Sequence, residues 1–275
     1  MISFPRVMLA FTKMNGAGND FVVVDNRDGS VRLTREQVVR ICDRRRGVGA
    51  DGLLMLVRSA SGRAPWAWEF FNCDGSAAAM CGNGARCFAK FIRRLTGADG
   101  DVVFETGAGV ITARFDGAEV TVNLTVPREM RLNESVALET GAQIVHSVNT
   151  GVPHAVVLVP ETESATVQST GAAIRHHPHF GPTGTNVNFV QILEPGSIRV
   201  RTYERGVEGE TLACGTGVTA AALGCARVRG FASPVKVLVQ GGDTLGVSFE
   251  TAEAGFRDVH LSGPADFVFE GRLCD

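Results

Sequence analysis

Apolar and polar positions follow the same order of patterns in the two halves of the chain. In each half, short apolar runs that predict strands lead into a glycine-containing loop, a helix, and then three short strands separated by turn residues. The helices are predicted over 85–95 and 217–229, and each is followed by a glycine. Because strands outnumber helices in both halves, the pattern predicts a duplicated α+β fold rather than a doubly wound parallel sheet.

Composition narrows the class of protein. The chain has 275 residues, of which 44% are hydrophobic and 20% are charged, which is typical of a globular protein with a well-formed core. A net charge of −2 gives neither a basic surface for nucleic acid nor a polybasic patch for a membrane. No apolar run reaches the ~20 residues of a membrane span, and the N-terminus lacks the features of a signal peptide. We therefore expect a cytoplasmic protein without nucleic-acid or membrane partners.

Two matching loops carry the candidate chemistry. The first reads Cys-Gly-Asn-Gly from Cys81, and the second reads Cys-Gly-Thr-Gly from Cys214. Each loop opens a predicted helix, and a polar residue, Asn72 or Arg205, lies nine residues before each cysteine. The unpaired N–H groups and the dipole at a helix N-terminus stabilise a thiolate and can bind a carboxylate.

A pair of such loops can carry out acid–base chemistry on both faces of one carbon. If one cysteine is ionised and the other is protonated, a carbon between them loses a proton to one side and gains a proton from the other, which inverts its configuration. The bound carboxylate would be stabilised as it takes on negative charge, so this chemistry needs no cofactor. The remaining cysteines are expected to be reduced. Cys42, Cys73, Cys87 and Cys225 are predicted to be packing residues, and Cys274 an exposed one.

The chain resembles the diaminopimelate epimerase family over essentially its whole length. Six motifs carry the resemblance: KMNGAGNDFVVVDNR (13–27), GVGADGLLML (47–56), FFNCDGSAAAMCGNGARC (70–87), TGVPHAVV (150–157), GTNVNFVQI (184–192) and YERGVEGETLACGTG (203–217). The resemblance implies conversion of LL-diaminopimelate to the meso isomer for lysine and peptidoglycan synthesis, without pyridoxal phosphate. It also implies a homodimer of two-domain chains, each domain a mostly antiparallel sheet rolled around a central helix, with the substrate bound between the domains.

The resemblance also assigns roles to individual positions. Cys81 and Cys214 match the catalytic pair, and His154 and Glu204 match residues that tune the thiol pKa. The positions that match substrate contacts are Asn19 near the reacting centre, Gly82, Asn83, Gly215 and Thr216 around the reacting carboxylate, Asn72, Asn186 and Arg205 at the distal carboxylate, and Glu204 at the distal ammonium. An arginine fork suits a carboxylate and a glutamate suits an ammonium.

Two positions depart from the family pattern. Gly52 stands where many members have a glutamine that touches the substrate, and Val152 stands where many have an asparagine before Pro-His. The domains are predicted as 1–124, completed by a C-terminal strand over 265–275, and 125–264. Which cysteine is the resting thiolate stays open because the pair titrates jointly. We expect a Cys81–Cys214 disulfide as an oxidised off-state.

Other functions explain fewer features of the sequence than epimerisation does. A proline or hydroxyproline racemase would also use two cysteines, but its substrate has no distal groups to explain Glu204 and Arg205. A silent amino-acid-binding protein would be expected to have lost a cysteine. The Gly-x-Gly-x-x-Gly run over 47–52 follows a predicted helix and precedes a strand, which is the reverse of a dinucleotide site. The cysteines over 73–87 lack zinc-ligand spacing.

Overall fold

The computed structural model describes residues 9–253 and 255–273. The chain divides into two compact units. The first runs to Val120 and includes the segment from Ala265 onward, and the second is Thr121–Pro264. Each unit carries one of the two cysteine loops.

Strands dominate the described residues. The helices are α1 (Arg35–Cys42), α2 (Gly82–Thr96), α3 (Val167–Arg175) and α4 (Gly215–Arg229), with a 3-10 turn at Pro178–Phe180. The strands are β1 (Leu9–Gly16), β2 (Asn19–Asp25), β3 (Gly52–Arg58), β4 (Trp66–Asn72), β5 (Val102–Thr106), β6 (Gly109–Asp116), β7 (Glu119–Asn123), β8 (Arg128–Leu138), β9 (Gly141–Asn149), β10 (Pro153–Leu158), β11 (Asn186–Glu194), β12 (Ser197–Glu204), β13 (Gly209–Thr211), β14 (Val235–Val239), β15 (Thr244–Ala252), β16 (Gly255–Pro264) and β17 (Asp266–Leu273).

The first unit is a mixed sheet packed around α2. Its pairings are antiparallel for β1–β2, parallel for β2–β3, antiparallel for β3–β4, parallel for β4–β5 and antiparallel for β5–β6. The C-terminal β17 pairs antiparallel with β1. The helix α2 packs against β1, β2, β3, β5 and β6, and ends at Gly97 in the left-handed conformation with φ 65°. This helix is therefore the centre of the unit.

The second unit repeats that order of pairings around α4. They are antiparallel for β9–β10, parallel for β10–β11, antiparallel for β11–β12, parallel for β12–β14 and antiparallel for β14–β15. The helix α4 packs against these strands and β16, and ends at Gly230 with φ 69°. The predicted α+β class and the duplicated plan, a sheet around a central helix, are both confirmed.

Several element boundaries differ from the sequence prediction. The central helices begin at Gly82 and Gly215, one residue after each cysteine and earlier than predicted. The apolar spacing over 34–46 predicts a further helix, and in the structure this helix ends at Cys42. There the Asp43 side chain accepts hydrogen bonds from the backbone N–H groups of Arg45 and Arg46, both at 2.7 Å. These N–H groups therefore take part in a turn instead of continuing the helix.

Candidate active site

The first loop places Cys81 at the N-terminus of α2. Cys81 is the N-cap residue, with extended backbone at φ −147° and ψ 120°. Its Sγ lies 3.5 Å from the backbone N–H of Gly84, which donates to it. Gly82 and Asn83 are buried in the first turn of the helix. The sulfur therefore lies in the positive field of the helix terminus, beside amides that can bind an anion.

Asn19, at the start of β2, lies beside this sulfur. The Cys81 Sγ is 3.5 Å from the Asn19 Oδ1 and donates to it. The orientation of the amide is fixed at its other end, where Asn19 Nδ2 donates to the Asp51 carboxylate at 2.8 Å. Arg44 in turn donates to Asp51 at 2.8 Å. The sequence-predicted residue Asn19 therefore contacts the candidate catalytic thiol, and the Asp51–Arg44 pair that orients it was not predicted.

A fully buried arginine lies beneath the first loop. The guanidinium of Arg86 donates to the Gly82 carbonyl at 3.5 Å and to the Asn83 Oδ1 at 3.1 Å. Its exposed fraction is 0%. Arg86 was not predicted, because Lys90, Arg93 and Arg94 on the same helix make it look like an ordinary exposed arginine. Its hydrogen bonds fix the first residues of the helix and place a permanent positive charge next to the loop.

Asn72 and Gly52 lie opposite each other at the ends of β4 and β3. Asn72 is exposed, and its Nδ2 donates to the Ser76 Oγ at 3.0 Å. A Cβ at Gly52 would lie 2.9 Å from the Phe70 ring and 2.9 Å from the Phe71 carbonyl. Gly52, which stands where many family members have a glutamine, therefore leaves no cavity, because the Phe70 ring occupies that space.

The second loop places Cys214 at the N-terminus of α4. Cys214 is the N-cap residue, with φ −120° and ψ 108°, and is 8% exposed. Its Sγ lies 3.6 Å from the hydroxyl of Thr216. That hydroxyl lies 2.9 Å from the Nε2 of His154, the second residue of β10. The sequence-predicted residues Cys214, Thr216 and His154 are thus brought into one hydrogen-bonded chain, and Gly215 is buried between the first two.

His154 is neutral in this setting. Its exposed fraction is 0%, and its Nδ1 lies 3.2 Å from the Asn188 Nδ2. Burial, and secondarily the positive charge of Arg205, lower the pKa of His154 from 6.5 to about 3. At neutral pH the imidazole therefore carries one proton and no charge. Asn188 was not predicted, although it lies two residues after Asn186 and faces the same side of the strand.

The remaining predicted residues cluster where β11 begins and β12 ends. Asn186 accepts from the backbone N–H of Arg205 at 2.8 Å and donates to the Pro153 carbonyl at 3.1 Å. The Glu204 carboxylate accepts from the Thr211 hydroxyl at 2.8 Å. Asn186 therefore fixes the backbone that presents the Arg205 guanidinium. Val152, at the other departure from the family pattern, is half-buried just before β10.

The other cysteines separate into buried and exposed ones. Burial raises the pKa of Cys42, Cys87 and Cys225 to about 12, so these thiols stay protonated. Cys73 was predicted to pack, but it is exposed in the turn after β4, where its N–H donates to the Asp51 carbonyl, and the prediction was wrong. Cys274 lies outside the described residues. Within 9–253 and 255–273, no group of three or more His, Cys, Asp or Glu side chains is placed to hold a metal ion.

Comparison with known proteins identifies the family. The family model for diaminopimelate epimerase matches residues 11–129 and 146–259. The chain belongs to the diaminopimelate epimerase family. Diaminopimelate epimerase of Hydrogenobaculum sp. (strain Y04AAS1) is 43% identical over 96% of this chain and 98% of its own length. The enzyme of the same name from Aquifex aeolicus is 43% identical over 97% and 98%. Members of this family are isomerases.

Solved structures share the fold at low identity. A probable proline racemase from Agrobacterium radiobacter K84 aligns with a TM-score of 0.73 and 17% identity, covering 96% of this chain and 92% of that one. A hydroxyproline epimerase from Agrobacterium vitis aligns with a TM-score of 0.73 and 18% identity over 97% and 92%. In the part of the chain that the structure describes, no helix has the length and apolar composition of a membrane span.

Proposed function

We propose that this protein converts LL-2,6-diaminopimelate to meso-diaminopimelate with Cys81 and Cys214 as the two acid–base groups. One observation carries the proposal. In a chain of this family, each of two units of like topology begins its central buried helix one residue after a cysteine. The reaction serves lysine and peptidoglycan precursor synthesis, which places the protein in the cytoplasm.

The proposed step balances with two thiols and no cofactor. One cysteine, as thiolate, takes the proton from the substrate Cα and becomes a thiol, while the electron pair of the C–H bond passes into the carboxylate as an enediolate. The other cysteine, as thiol, gives its proton to the opposite face of the carbon and becomes a thiolate. Backbone amides at Gly82, Asn83, Gly215 and Thr216 would stabilise the carboxylate as its negative charge grows.

Recognition of the distal end would fall to charged residues of the second unit. The Arg205 guanidinium offers two parallel donors to a carboxylate, and Asn186 holds its backbone in place at 2.8 Å. Glu204 would accept from the distal ammonium. In the first unit, Asn19 would contact the substrate near the reacting carbon, and Asn72 would add a polar contact at the distal carboxylate.

We further propose that the two epimerase halves are 1–124 with 265–275, and 125–264, and that the chain forms a homodimer. The dimer is supported by an apolar stretch on β17. There Val268 is 55% exposed and Phe269 is 48% exposed, and the Phe269 ring stacks edge-on to Phe11 at 5.9 Å. Exposed large apolar side chains that are neighbours on a strand are typical of a contact between subunits. Sedimentation equilibrium of the wild type and of Phe269→Glu would test this directly.

The function is tested with LL-diaminopimelate in deuterium oxide and reducing buffer, without added cofactor. We expect the meso isomer to accumulate with one deuterium at the inverted carbon. Cys81→Ala and Cys214→Ala should each abolish inversion, because neither face can replace the other, while Cys73→Ala serves as a matched control that keeps activity. Turnover of proline without turnover of diaminopimelate would refute the substrate assignment. Full inversion by either alanine variant of the pair would refute the two-base step.

A further inference from the structure

Three strands of the second unit converge on the Cys214 loop. The strands β10 and β11 pair in parallel, with Val156 opposite Asn188, and β11 and β12 pair antiparallel, with Asn188 opposite Thr202. This register brings the Asn188 side chain between His154 and Thr202. All three side chains are buried.

The orientation of the Asn188 amide follows from its partners. The Ala155 carbonyl, a pure acceptor, lies 3.0 Å from one terminal atom, which must therefore be the nitrogen. The other terminal atom is then the oxygen, and the Thr202 hydroxyl donates to it at 3.0 Å. The same nitrogen lies 3.2 Å from the His154 Nδ1 and donates to it.

The position of the proton on His154 follows in turn. Because Nδ1 accepts a hydrogen bond and the ring is neutral, the single ring proton is on Nε2. Nε2 therefore donates to the Thr216 hydroxyl oxygen at 2.9 Å. A hydroxyl oxygen that accepts from one side directs its own proton elsewhere, and the Cys214 Sγ lies 3.6 Å away.

We propose that Asn188 and Thr202 are positioning residues that act through His154 to make the Thr216 hydroxyl donate to the Cys214 sulfur. A donor aimed at the sulfur stabilises the thiolate over the thiol. The chain of hydrogen bonds therefore stabilises the ionised form of Cys214, independently of any bound substrate. The catalytic use of that thiolate rests on the proposed function, whereas the hydrogen-bond chain itself does not.

The first loop is built differently at the matching position. Two residues after Cys81 stands Asn83, whose side-chain oxygen accepts from Arg86 at 3.1 Å. The Cys81 thiol instead faces an acceptor, the Asn19 Oδ1 at 3.5 Å. A hydroxyl donor two residues after the cysteine is thus specific to the Cys214 loop.

Charged groups on the neighbouring elements also act on this site. Arg205, directly after β12, is a charged residue whose positive charge reaches His154, and its neighbour Glu204 accepts from the Thr211 hydroxyl. In the Cys81→Ser background, Cys214 is the one thiol of the pair that can titrate. The test therefore compares variants that all retain Arg205 and Glu204, so that only the hydroxyl changes.

The experiment is a titration of thiolate absorbance near 240 nm in the Cys81→Ser background, read as the difference from the Cys81→Ser/Cys214→Ser double variant. Thr216→Val should raise the Cys214 pKa by about one unit, a tenfold change in its acid dissociation constant and the size expected for one hydrogen bond. Thr216→Ser should restore the original value. Thr219→Val is a matched control on the same helix, since its hydroxyl donates to the Gly215 carbonyl at 2.9 Å and not to sulfur.

The positioning role is tested on Asn188. With Asn188→Asp, an acceptor faces Nδ1, so the ring proton moves to Nδ1. Nε2 then accepts a hydrogen bond from the Thr216 hydroxyl, which no longer donates to the sulfur, and the pKa of Cys214 rises. That rise should be largely absent when Thr216→Val is already present. Nitrogen-15 NMR of labelled histidine reads the tautomer in the wild type, where we expect a protonated Nε2 on His154.

Two results would overturn the proposal. One is a wild-type His154 with its proton on Nδ1, and the other is an equal Cys214 pKa in the valine and serine variants at position 216. Neither measurement depends on turnover. A protein that shifts its Cys214 pKa as expected but inverts no diaminopimelate would refute the proposed function and leave the hydrogen-bond chain standing, and the reverse pattern would refute only the chain.

Discussion

The third residue of each central helix is a glycine, Gly84 in α2 and Gly217 in α4. The space available for an added Cβ differs between the two positions. A Cβ added at Gly84 would lie 3.3 Å from the Phe21 ring and 3.5 Å from the Cys81 Cβ, close to ordinary van der Waals contact. A Cβ added at Gly217 would overlap the side-chain oxygen of Asn188. Gly84→Ala and Gly217→Ala are therefore the same substitution at the same helical position, with different steric outcomes.

The expected free energies follow from these contacts. Alanine is favoured over glycine in a helix by about 1 kcal/mol, and this gain applies to both sites. At Gly217 the overlap costs about 1–3 kcal/mol of overpacking. Displacing the Asn188 oxygen also weakens the buried bond from Thr202, worth about 1 kcal/mol. Gly217→Ala should therefore lower the free energy of unfolding by about 2 kcal/mol, while Gly84→Ala should change it by less than about 1 kcal/mol.

Urea unfolding, followed by far-ultraviolet circular dichroism, measures both variants against the wild type. The midpoint should fall for Gly217→Ala and stay nearly constant for Gly84→Ala, with an unchanged slope. Adding Asn188→Ala to Gly217→Ala should remove most of the steric part of the cost, because the overlapping oxygen is then gone. Equal midpoints for the two glycine variants would refute the steric reasoning at Gly217.

Three further outcomes are expected. Gly52→Gln should destabilise the fold by about 1–3 kcal/mol in urea unfolding, with part of the loss recovered by adding Phe70→Leu, and purely additive effects would contradict the overlap with the ring. The lowered pKa of His154 contributes stability that is complete above pH about 6.5 and is lost as the pH falls toward about 3, since the unfolded chain binds the extra proton in that range; His154→Gln should flatten this part of the pH–stability curve. Cys87 and Cys225, with pKa values raised to about 12, should resist iodoacetamide at pH 8 in native protein but react in urea, as read by peptide mass spectrometry.

The sequence predicts those features that are encoded locally. The presence of each central helix is visible because a cysteine and glycines precede a run of small apolar residues, although its first residues were not predicted. The duplicated order of strands is visible from periodicity alone. The hairpin of β8 and β9 was missed because β8 is largely exposed and carries charged residues without regular alternation, so it is a strand only through its partner. The helix α3 was missed because it is short and carries Gly171 among serine and threonine residues, which are weak helix formers.

Side-chain contacts that depend on the register between strands could not be predicted from the sequence. Asn188 was readable as a polar residue on a strand, but its partners lie on β10 and β12, which are distant in the chain. Only the parallel register with β10 and the antiparallel register with β12 place it between His154 and Thr202. A buried Arg86 likewise reads from the sequence as an ordinary helix arginine, since its burial follows from the sheet that surrounds α2.

The repeated backbone of the two loops and the side chains that differ between them have separate roles in the proposed reaction. The Cys81 sulfur also accepts from the Gly84 backbone N–H at 3.5 Å, but the two loops share an extended cysteine as N-cap, buried glycines and a helix dipole pointing at the sulfur. These shared features lower the pKa of a thiol without preferring one cysteine over the other. A two-base reaction, however, needs one thiol and one thiolate, which a perfectly symmetric pair supplies only as an equal mixture of two protonation states. The residue two positions after each cysteine breaks that symmetry, because Asn83 is engaged by Arg86 while Thr216 is engaged by a neutral His154. We therefore expect side chains to set the proton distribution of the pair, and the repeated backbone to supply the capacity for anion binding.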